Sequence, residues 1–304
     1  MKASHERRLG LLFISPFLIG FTLFTIYPVV ASLYYSFCDY DVLSAPQFVG
    51  LENFREMLVD DRFAKGLWNT LVFTVFAVPV TMLTALVLAF LLNMKLRGQA
   101  LYRTIFFLPS IVPIIASSVL WLWLLNSDYG LINACLRPIM VFLNSALGLH
   151  LEPPGWLTHP DYAKPALIMM AAWGVGGNMI LYLAALGDVP QQLYEAAELD
   201  GAGAWARARH VTLPMISPVL FFTLVMGLIG SFQYFSQPLV MWPGGAPGDS
   251  ALFYALYLFQ NAFLYLRMGY ASAQAWLLFI VIVATTILVF RSTRRFVYYA
   301  GEGV

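Results

Sequence analysis

Charged residues are scarce in this chain. Asp, Glu, Lys and Arg make up 11% of its 304 residues, whereas 60% are hydrophobic, and the mean hydropathy is +0.75. A soluble globular domain carries about 25% charged residues, so this composition excludes a water-soluble domain. The formal net charge of +1 gives no reason to expect nucleic acid as a partner. We therefore expect a membrane protein without a nucleic-acid partner.

Cysteine and histidine are also rare. Cys38 and Cys135 are too few for a metal site or a disulfide scaffold, and we interpret both as incidental. The four histidines are scattered and form no cluster with carboxylates or thiols; they are His5, His150, His159 and His210. The sequence also lacks G-x-x-x-x-G-K-[ST], so the chain does not bind ATP through a P-loop. We expect no catalytic site, no metal and no cofactor on this chain.

Long uncharged runs are what the sequence has instead. Each of six runs exceeds the 18 or so residues that cross the hydrocarbon core as a helix. They are Leu9–Cys38, Gly66–Met94, Thr104–Ser127, Pro165–Gly187, Val211–Gly248 and Met268–Phe290. Prolines within them predict kinks; these are Pro16, Pro28, Pro79, Pro109, Pro113 and Pro218. The fold class is therefore all-α, a polytopic integral membrane protein with six transmembrane helices.

Two shorter apolar runs need a separate decision. Pro138–Leu151 is too short to span, and we interpret it as an amphipathic helix on the outer surface. Ser250–Leu266 is borderline by length, but an additional span there would put the two termini on opposite sides. With six spans, residues 1–65 form the first transmembrane helix and an outer loop. Residues 66–304 then form a core with five further spans.

Basic residues determine the orientation of the spans. In the six-span arrangement, 11 of the 17 lie on one side, which is predicted to be cytoplasmic along with both termini: Lys2, Arg7, Arg8, Lys95, Arg97, Arg103, Arg207, Arg209, Arg291, Arg294 and Arg295. The other six are predicted to lie outside: Arg55, Arg62, Lys65, Arg137, Lys164 and Arg267. Asp60, Asp161 and Asp249 should face outward too.

A long polar, charged stretch between two spans runs from Glu195 to Pro214. Before it, Asp188 is predicted to cap a short helix from Val189 to about Asp200, with Pro190 in the first turn. This helix places Leu193, Ala196, Ala197 and Asp200 on one side. Gly201 and Gly203 then allow a bend, a second helix runs through Trp205, and Leu213-Pro214 begins the fifth span. A helical hairpin that only connects two spans is the plainer interpretation of this stretch.

The motif Leu193–Ala197 (Leu-Tyr-Glu-Ala-Ala), followed by Asp200-Gly201 and Leu213-Pro214, resembles the cytoplasmic coupling loop of ABC importer permeases, which would occupy residues 188–217 here. Other segments resemble the carbohydrate branch of that family, of the maltose and glycerol-3-phosphate type. They are Phe48–Phe54, Phe107–Pro113, Asp128–Asn133, Gly230–Phe235 and Gly269–Ala273. The resemblance implies the type I ABC importer permease fold in a prokaryotic inner membrane.

The resemblance also implies partners and roles. The permease would pair with a second, homologous permease, two ATPase subunits that bind ATP and Mg, and an extracytoplasmic solute-binding protein. Coupling to the ATPase would be carried by residues of the loop: Glu195, Ala196, Ala197, Asp200, Gly201, Leu213 and Pro214. Small alanines would permit close approach to the partner, and the carboxylates of Glu195 and Glu198 would attract its basic residues.

Aromatic residues beside polar groups at membrane depth are candidates for a sugar path, because sugars are recognised by stacking and hydrogen bonding. The fourth and fifth spans, which supply sugar contacts in the maltose-type permeases, contain such residues: Trp173, Gly177, Asn178, Tyr182, Phe232 and Gln233. The alternative is that these residues pack and hydrogen-bond the helices to one another.

Three other functions compete with sugar import. A secondary transporter or channel driven by an ion gradient would usually keep ionisable groups at membrane depth, and the six uncharged runs contain none. An integral-membrane enzyme would need a catalytic cluster near one face. An ABC permease for a non-sugar solute such as glycerol-3-phosphate shares the same motifs and stays open at this point.

Overall fold

The computed structural model describes residues 2–94 and 97–293, with side chains from Gly10 onward. Of the basic residues used for orientation, Lys95, Arg294, Arg295 and the side chains of Lys2, Arg7 and Arg8 lie outside this description. The regular secondary structure of the described residues is helical apart from one two-stranded ribbon, Cys38–Asp39 with Gln47–Phe48. The predicted all-α class is therefore confirmed.

The helices follow one another as a series of long and bent elements. They are Lys2–Phe21, Thr22–Ile26 (π), Tyr27–Tyr35, Glu52–Val59, Asp61–Asn93, Gln99–Phe107, Leu108–Ile111 (3-10), Ile114–Leu124, Leu131–Leu147, Pro160–Trp173, Gly176–Gly187, Gln191–Leu199, Ala204–Arg207, Ala208–Thr212 (π), Leu213–Phe232, Ser236–Met241, Tyr254–Phe259, Gln260–Leu264 (π) and Met268–Thr293.

Four helical segments are long and apolar enough to cross a membrane: Gly10–Tyr35, Asp61–Asn93, Ala204–Met241 and Met268–Thr293. Two bent pairs bring the number of candidate spans to the predicted six if each pair crosses as one span. Gln99–Ile111 and Ile114–Leu124 meet at 99°, and Pro160–Trp173 and Gly176–Gly187 meet at 47°. Pro113 lies at the sharper bend and has ψ of 136°. Proline has no N–H to continue the preceding helix, so the helix is interrupted there. Ser250–Leu266 contains only short helices and is not a span, as predicted.

The helix that was predicted at the outer surface departs from its predicted bounds. It runs from Leu131 to Leu147, so Pro138 lies inside it rather than at its start. Gly130 precedes the first residue, and a Cβ there would come within 2.3 Å of the Asn126 carbonyl oxygen. Gly148 ends the helix with φ of +64°, a conformation that glycine adopts readily. The two glycines therefore bound the helix. The first half was missed in the sequence because only uncharged runs were considered, and the charged Arg137 interrupts the run.

Contacts divide the chain into two compact units. In the first, residues 2–61 and 258–280, two segments of the family resemblance converge on residues 36–40. The Asn53 amide nitrogen donates to the carbonyl oxygens of Ser36 (3.0 Å) and Cys38 (2.9 Å). The Gly269 N–H donates to the Tyr40 carbonyl at 3.0 Å, and a Cβ at 269 would lie 2.0 Å from the Cys38 oxygen. Both motif residues therefore have a structural role.

The second unit, residues 62–257 and 281–293 where described, contains the buried core around the Gly176–Gly187 helix. Small residues on the Asp61–Asn93 helix, Ala85 and Ala89, are fully buried against it. Gly176 itself lies against the Gln99–Phe107 helix, where a Cβ would be 2.7 Å from the Phe106 carbonyl oxygen. Small residues permit this close backbone approach between membrane helices.

Candidate functional site

The polar loop, residues 188–214, begins with a helix that starts later than predicted. The helix spans Gln191–Leu199, two residues shorter at its start than the expected one. Asp188 does not cap it: the Asp188 N–H donates to the Ala184 carbonyl at 3.2 Å and ends the preceding helix. The helical conformation is disfavoured for a residue before proline, and Pro190 lacks an N–H. The new helix therefore begins only after Pro190.

Gly201 produces the bend of the polar loop. It has φ of +80°, and its N–H donates to the Glu198 carbonyl at 3.0 Å, while the Ala202 N–H donates to the Ala197 carbonyl at 2.9 Å. These two bonds form a Schellman motif, which requires a left-handed residue at this position. Gly203 has φ of −67°, which any residue adopts. The Asp-Gly pair of the motif thus ends the helix, and the bend depends on Gly201 rather than on both glycines.

Two contacts hold the arms of the polar loop together. Glu198 pairs with Arg207 at 3.4 Å, and the Tyr194 hydroxyl hydrogen-bonds the Thr212 hydroxyl at 3.0 Å. Of the two carboxylates that were expected to face a partner, Glu198 is therefore engaged within the loop. Glu195 remains exposed.

The exposed face of the polar loop carries large apolar side chains that sequence reasoning missed. Leu199 is 90% exposed and Trp205 is 78% exposed. Ala196 and Asp200 are exposed beside them, and Ala197 is half-buried. Apolar residues in a polar stretch are the signal that could have identified this surface, because exposed apolar patches mark interaction sites.

The second arm of the polar loop is continuous with the next apolar helix. Ala204–Arg207, the π-helical turn Ala208–Thr212 and Leu213–Phe232 belong to one helical segment, Ala204–Met241, so Leu213 and Pro214, which were predicted to begin the fifth span, lie within that segment. Pro214 also lines a cavity of about 380 Å³ with Leu193, His210, Val211 and Met215. The two arms of the polar loop therefore enclose an apolar recess next to its exposed face.

A second recess, which we name the break cavity, lies where two bent helix pairs are interrupted. It has a volume of about 210 Å³ and is lined by Pro109, Ser110, Val112, Ile114, Ser117, Met170, Ala171, Trp173, Gly174 and Gln237. The short Ser236–Met241 helix packs against Ile114–Leu124 beside it. Trp121 contacts Trp173 edge to face, with ring centroids 6.0 Å apart. The cavity thus combines an indole, two hydroxyls and an amide, a set that can bind hydroxylated molecules.

Only one of the six candidate path residues, Trp173, lines the break cavity. Tyr182 is fully buried, and its hydroxyl hydrogen-bonds the Thr223 hydroxyl at 2.6 Å. Phe232 is buried, Asn178 is half-buried, and Gly177 and Gln233 are exposed. Sequence reasoning missed Gln237, because the uncharged run Val211–Gly248 gave no sign of the break after Phe232. The helix restarts at Ser236 and turns Gln237 toward the cavity.

The loop of residues 243–253, which we call the outer loop after its predicted side of the membrane, is fastened by basic and amide side chains. The Asn69 amide donates to the carbonyls of Asp249 (2.8 Å) and Leu252 (2.9 Å), and its oxygen accepts a bond from the Lys164 ammonium at 2.9 Å. Lys65 donates to the Gly248 carbonyl at 2.7 Å, and Arg62 pairs with the Asp249 carboxylate at 3.2 Å. Three cations therefore surround a fixed loop at one end of the second unit.

Comparison with known proteins gives a consistent result. The model of the family described as "Binding-protein-dependent transport system inner membrane component" matches residues 61–298. The chain is 39% identical over 296 residues to the probable ABC transporter permease YesP of Bacillus subtilis, covering 96% of this chain and 93% of YesP. It is 34% identical over 290 residues to the lactose transport system permease LacF of Rhizobium radiobacter, covering 94% of each.

Solved structures agree on the fold. A chain of a bacterial alginate ABC transporter, in complex with a periplasmic protein that holds an alginate pentasaccharide, superposes with a TM-score of 0.81. The match covers 97% of this chain and 96% of that one at 22% sequence identity. At this level of identity, the likeness supports the helical architecture alone.

Proposed function

The chain belongs to the family of binding-protein-dependent transport system inner membrane components, and we propose that it imports a sugar or oligosaccharide as one permease of an ATP-driven importer. The observation that carries the sugar assignment is the 34% identity to a lactose permease over 94% of both chains. The family description supports delivery of the solute by a binding protein. An importer for a non-sugar solute such as glycerol-3-phosphate is the remaining alternative.

The partners in this proposal are a second permease and two ATPase subunits, which bind ATP and Mg. The polar loop is the part of this chain that contacts an ATPase. Leu199 and Trp205 supply the apolar contact area, and Ala196 permits close approach. Glu195 provides an exposed carboxylate at the surface. The Schellman turn at Gly201 and the Glu198–Arg207 pair keep this surface rigid, so that movement of the ATPase is passed to the Leu213–Phe232 helix.

Recruitment of the ATPase tests this surface directly. Leu199→Ser removes a side chain that is 90% exposed, so the fold should be unchanged while co-purification of the ATPase falls. The role of charge at this surface is tested by Glu195→Lys, which should repel the partner's basic residues. Leu58→Ser is the matched control, because Leu58 is 85% exposed but lies on the opposite side of the membrane in our topology. Equal ATPase recovery with all three variants would refute the contact.

The break cavity is the proposed sugar-binding part of this chain. Trp173 offers a stacking face, and Ser110, Ser117 and Gln237 offer hydrogen-bonding groups around it. Asn178 and Gln233 remain candidates further along the same two spans. Tyr182 and Phe232 are buried among helices, which supports the packing interpretation for these two residues.

The orientation is part of the same proposal. The polar loop and both termini are cytoplasmic, and the outer loop with Lys164 faces the solute-binding protein. The asymmetry of Lys and Arg supports this arrangement. The polar loop can contact an ATPase only if it lies on the cytoplasmic side. The coupling role therefore requires this orientation.

A further inference from the structure

The two asparagines of the Leu131–Leu147 helix, Asn133 and Asn144, lie on one face and bind the chain that follows the helix. Asn133 is 1% exposed; its amide nitrogen donates to the carbonyls of Ser127 (3.2 Å) and Pro154 (3.1 Å), and its oxygen accepts from the Trp156 indole N–H at 2.8 Å. Asn144, three turns later on the same face, exchanges two hydrogen bonds with the Leu151 backbone, at 3.0 and 2.9 Å. These amides fasten the loop that follows the helix, and Asn133 is buried in doing so.

The opposite face is exposed and apolar. Leu131, Cys135, Pro138 and Phe142 follow one another at spacings of four, three and four residues, which places them on one stripe. Phe142 is 68% exposed. In water, an exposed stripe of this kind along 17 residues would be costly, since the hydrophobic effect amounts to about 25 cal/mol per Å² of apolar surface.

The position of the helix indicates what covers the stripe. The helix starts seven residues after Leu124, where a membrane-spanning pair ends, so its first turn lies at the membrane boundary. Exposed Trp123 and Tyr129 flank that boundary, and these residue types are enriched where membrane meets water. At 1.5 Å per residue, 17 residues reach about 25 Å, which is too short to cross the hydrocarbon core.

The one charged side chain of the helix fits the same location. Arg137 is exposed at the flank of the apolar stripe, and its guanidinium donates to the Asp128 carbonyl at 3.1 Å. A guanidinium has five N–H donors, so others remain for a phosphate. An apolar face with a basic residue at its flank is typical of helices that lie in the headgroup region.

We propose that Leu131–Leu147 is an interfacial helix that inserts its Leu131, Cys135, Pro138 and Phe142 stripe into the outer leaflet, with Arg137 at the level of the lipid phosphates. Because Asn133 and Asn144 bind the loop 148–156 to this helix, insertion of the helix into the lipid also fixes the distance of the loop from the membrane surface. The inference rests on the membrane location and orientation in the proposed function, and it is independent of the sugar and of ATP coupling.

Cys135 provides the probe for this contact. In a Cys38→Ser background, the full-length chain with its co-purifying subunits is labelled at Cys135 with bimane and placed in nanodiscs of phosphatidylethanolamine and phosphatidylglycerol. The matched control carries Cys135→Ser and Glu152→Cys, which moves the label to an exposed loop position. We expect lipid spin-labelled near the headgroup to quench the Cys135 label at least about twofold more than the control, and aqueous iodide to show the reverse order.

Two results would overturn the proposal. Equal quenching of both labels by iodide would place the stripe in water. Protection of the Cys135 label from both quenchers would place another protein subunit on it. Phe142→Asp gives an independent check, because a carboxylate on the stripe should reduce lipid quenching at Cys135. Transport is not the readout, so failure here leaves sugar import untouched, and failure of sugar import leaves the lipid contact testable.

Discussion

The neighbouring glycines Gly176 and Gly177 allow a sharp test of the helix packing. A Cβ at Gly176 would lie 2.7 Å from the Phe106 carbonyl oxygen and 2.8 Å from the Phe107 Cα, whereas a Cβ at Gly177 would meet nothing within 4 Å. Unstrained heavy-atom contacts lie at about 3.5 Å, so Gly176→Ala must push the Gln99–Phe107 helix away by about 0.7 Å. Both atoms it meets belong to the backbone, which cannot rotate aside.

The expected magnitude follows from two opposing effects. Overpacking costs about 1–3 kcal/mol, while replacing a helical glycine by alanine stabilises by about 0.4–1 kcal/mol. Gly176→Ala should therefore lower the free energy of unfolding by about 1–2 kcal/mol, and Gly177→Ala should leave it unchanged or slightly higher. With about 2–4 °C of Tm per kcal/mol, the first variant should melt about 2–8 °C lower.

Thermal unfolding of the purified chain in detergent, followed by tryptophan fluorescence, measures this difference. The pair is well matched, because the two residues are adjacent on one helix and undergo the same chemical change. If Gly176→Ala melts at the same temperature as Gly177→Ala, the close approach of the two helices at Phe106 and Phe107 is refuted.

Three further predictions concern the path, the first unit and the orientation. Gln237→Ala should reduce uptake or change sugar preference more than Gln233→Ala, because only Gln237 lines the break cavity; the reverse order would move the path elsewhere. Asn53→Ala should cost about 1–3 kcal/mol by leaving two carbonyls without their donor, whereas exposed Glu52→Ala should be nearly neutral in a melting assay. A cysteine in place of Arg207, in a cysteine-free background, should react with membrane-impermeant maleimide only after the cells are opened; labelling of intact cells would contradict the orientation.

Much of the architecture could be predicted because hydropathy reports membrane depth directly. The uncharged runs indicated the six spans, and Asp-Gly indicated the bend at Gly201, since both signals depend only on neighbouring residues. The break after Phe232 could not be predicted in this way, because it lies within a run that is apolar on both sides. Sequence reasoning therefore chose Gln233 and missed Gln237.

Contacts between distant parts of the chain account for the other differences. The role of Gly269 depends on backbone groups at residues 38–40, and a sequence pattern alone does not pair segments more than 200 residues apart. Asn53 lies 17 and 15 residues from the Ser36 and Cys38 carbonyls that it binds, and the sequence does not show that the chain folds back between them. Asp188 was wrongly predicted to cap the helix of the polar loop, because the preceding helix extends to it and uses its N–H. The exposure of Leu199 and Trp205 depends on how the two arms of the polar loop pack against each other, which the sequence does not show.

ATP-driven uptake tests the central proposal most directly. The chain, co-purified with its partner subunits, is reconstituted into proteoliposomes with ATP and Mg on the side of the polar loop, and labelled oligosaccharide with the solute-binding protein on the other. We predict accumulation of sugar that requires ATP and the binding protein, and that Gly201→Asp abolishes although the protein remains assembled in the membrane. Accumulation that follows an imposed proton or sodium gradient without ATP would contradict the account.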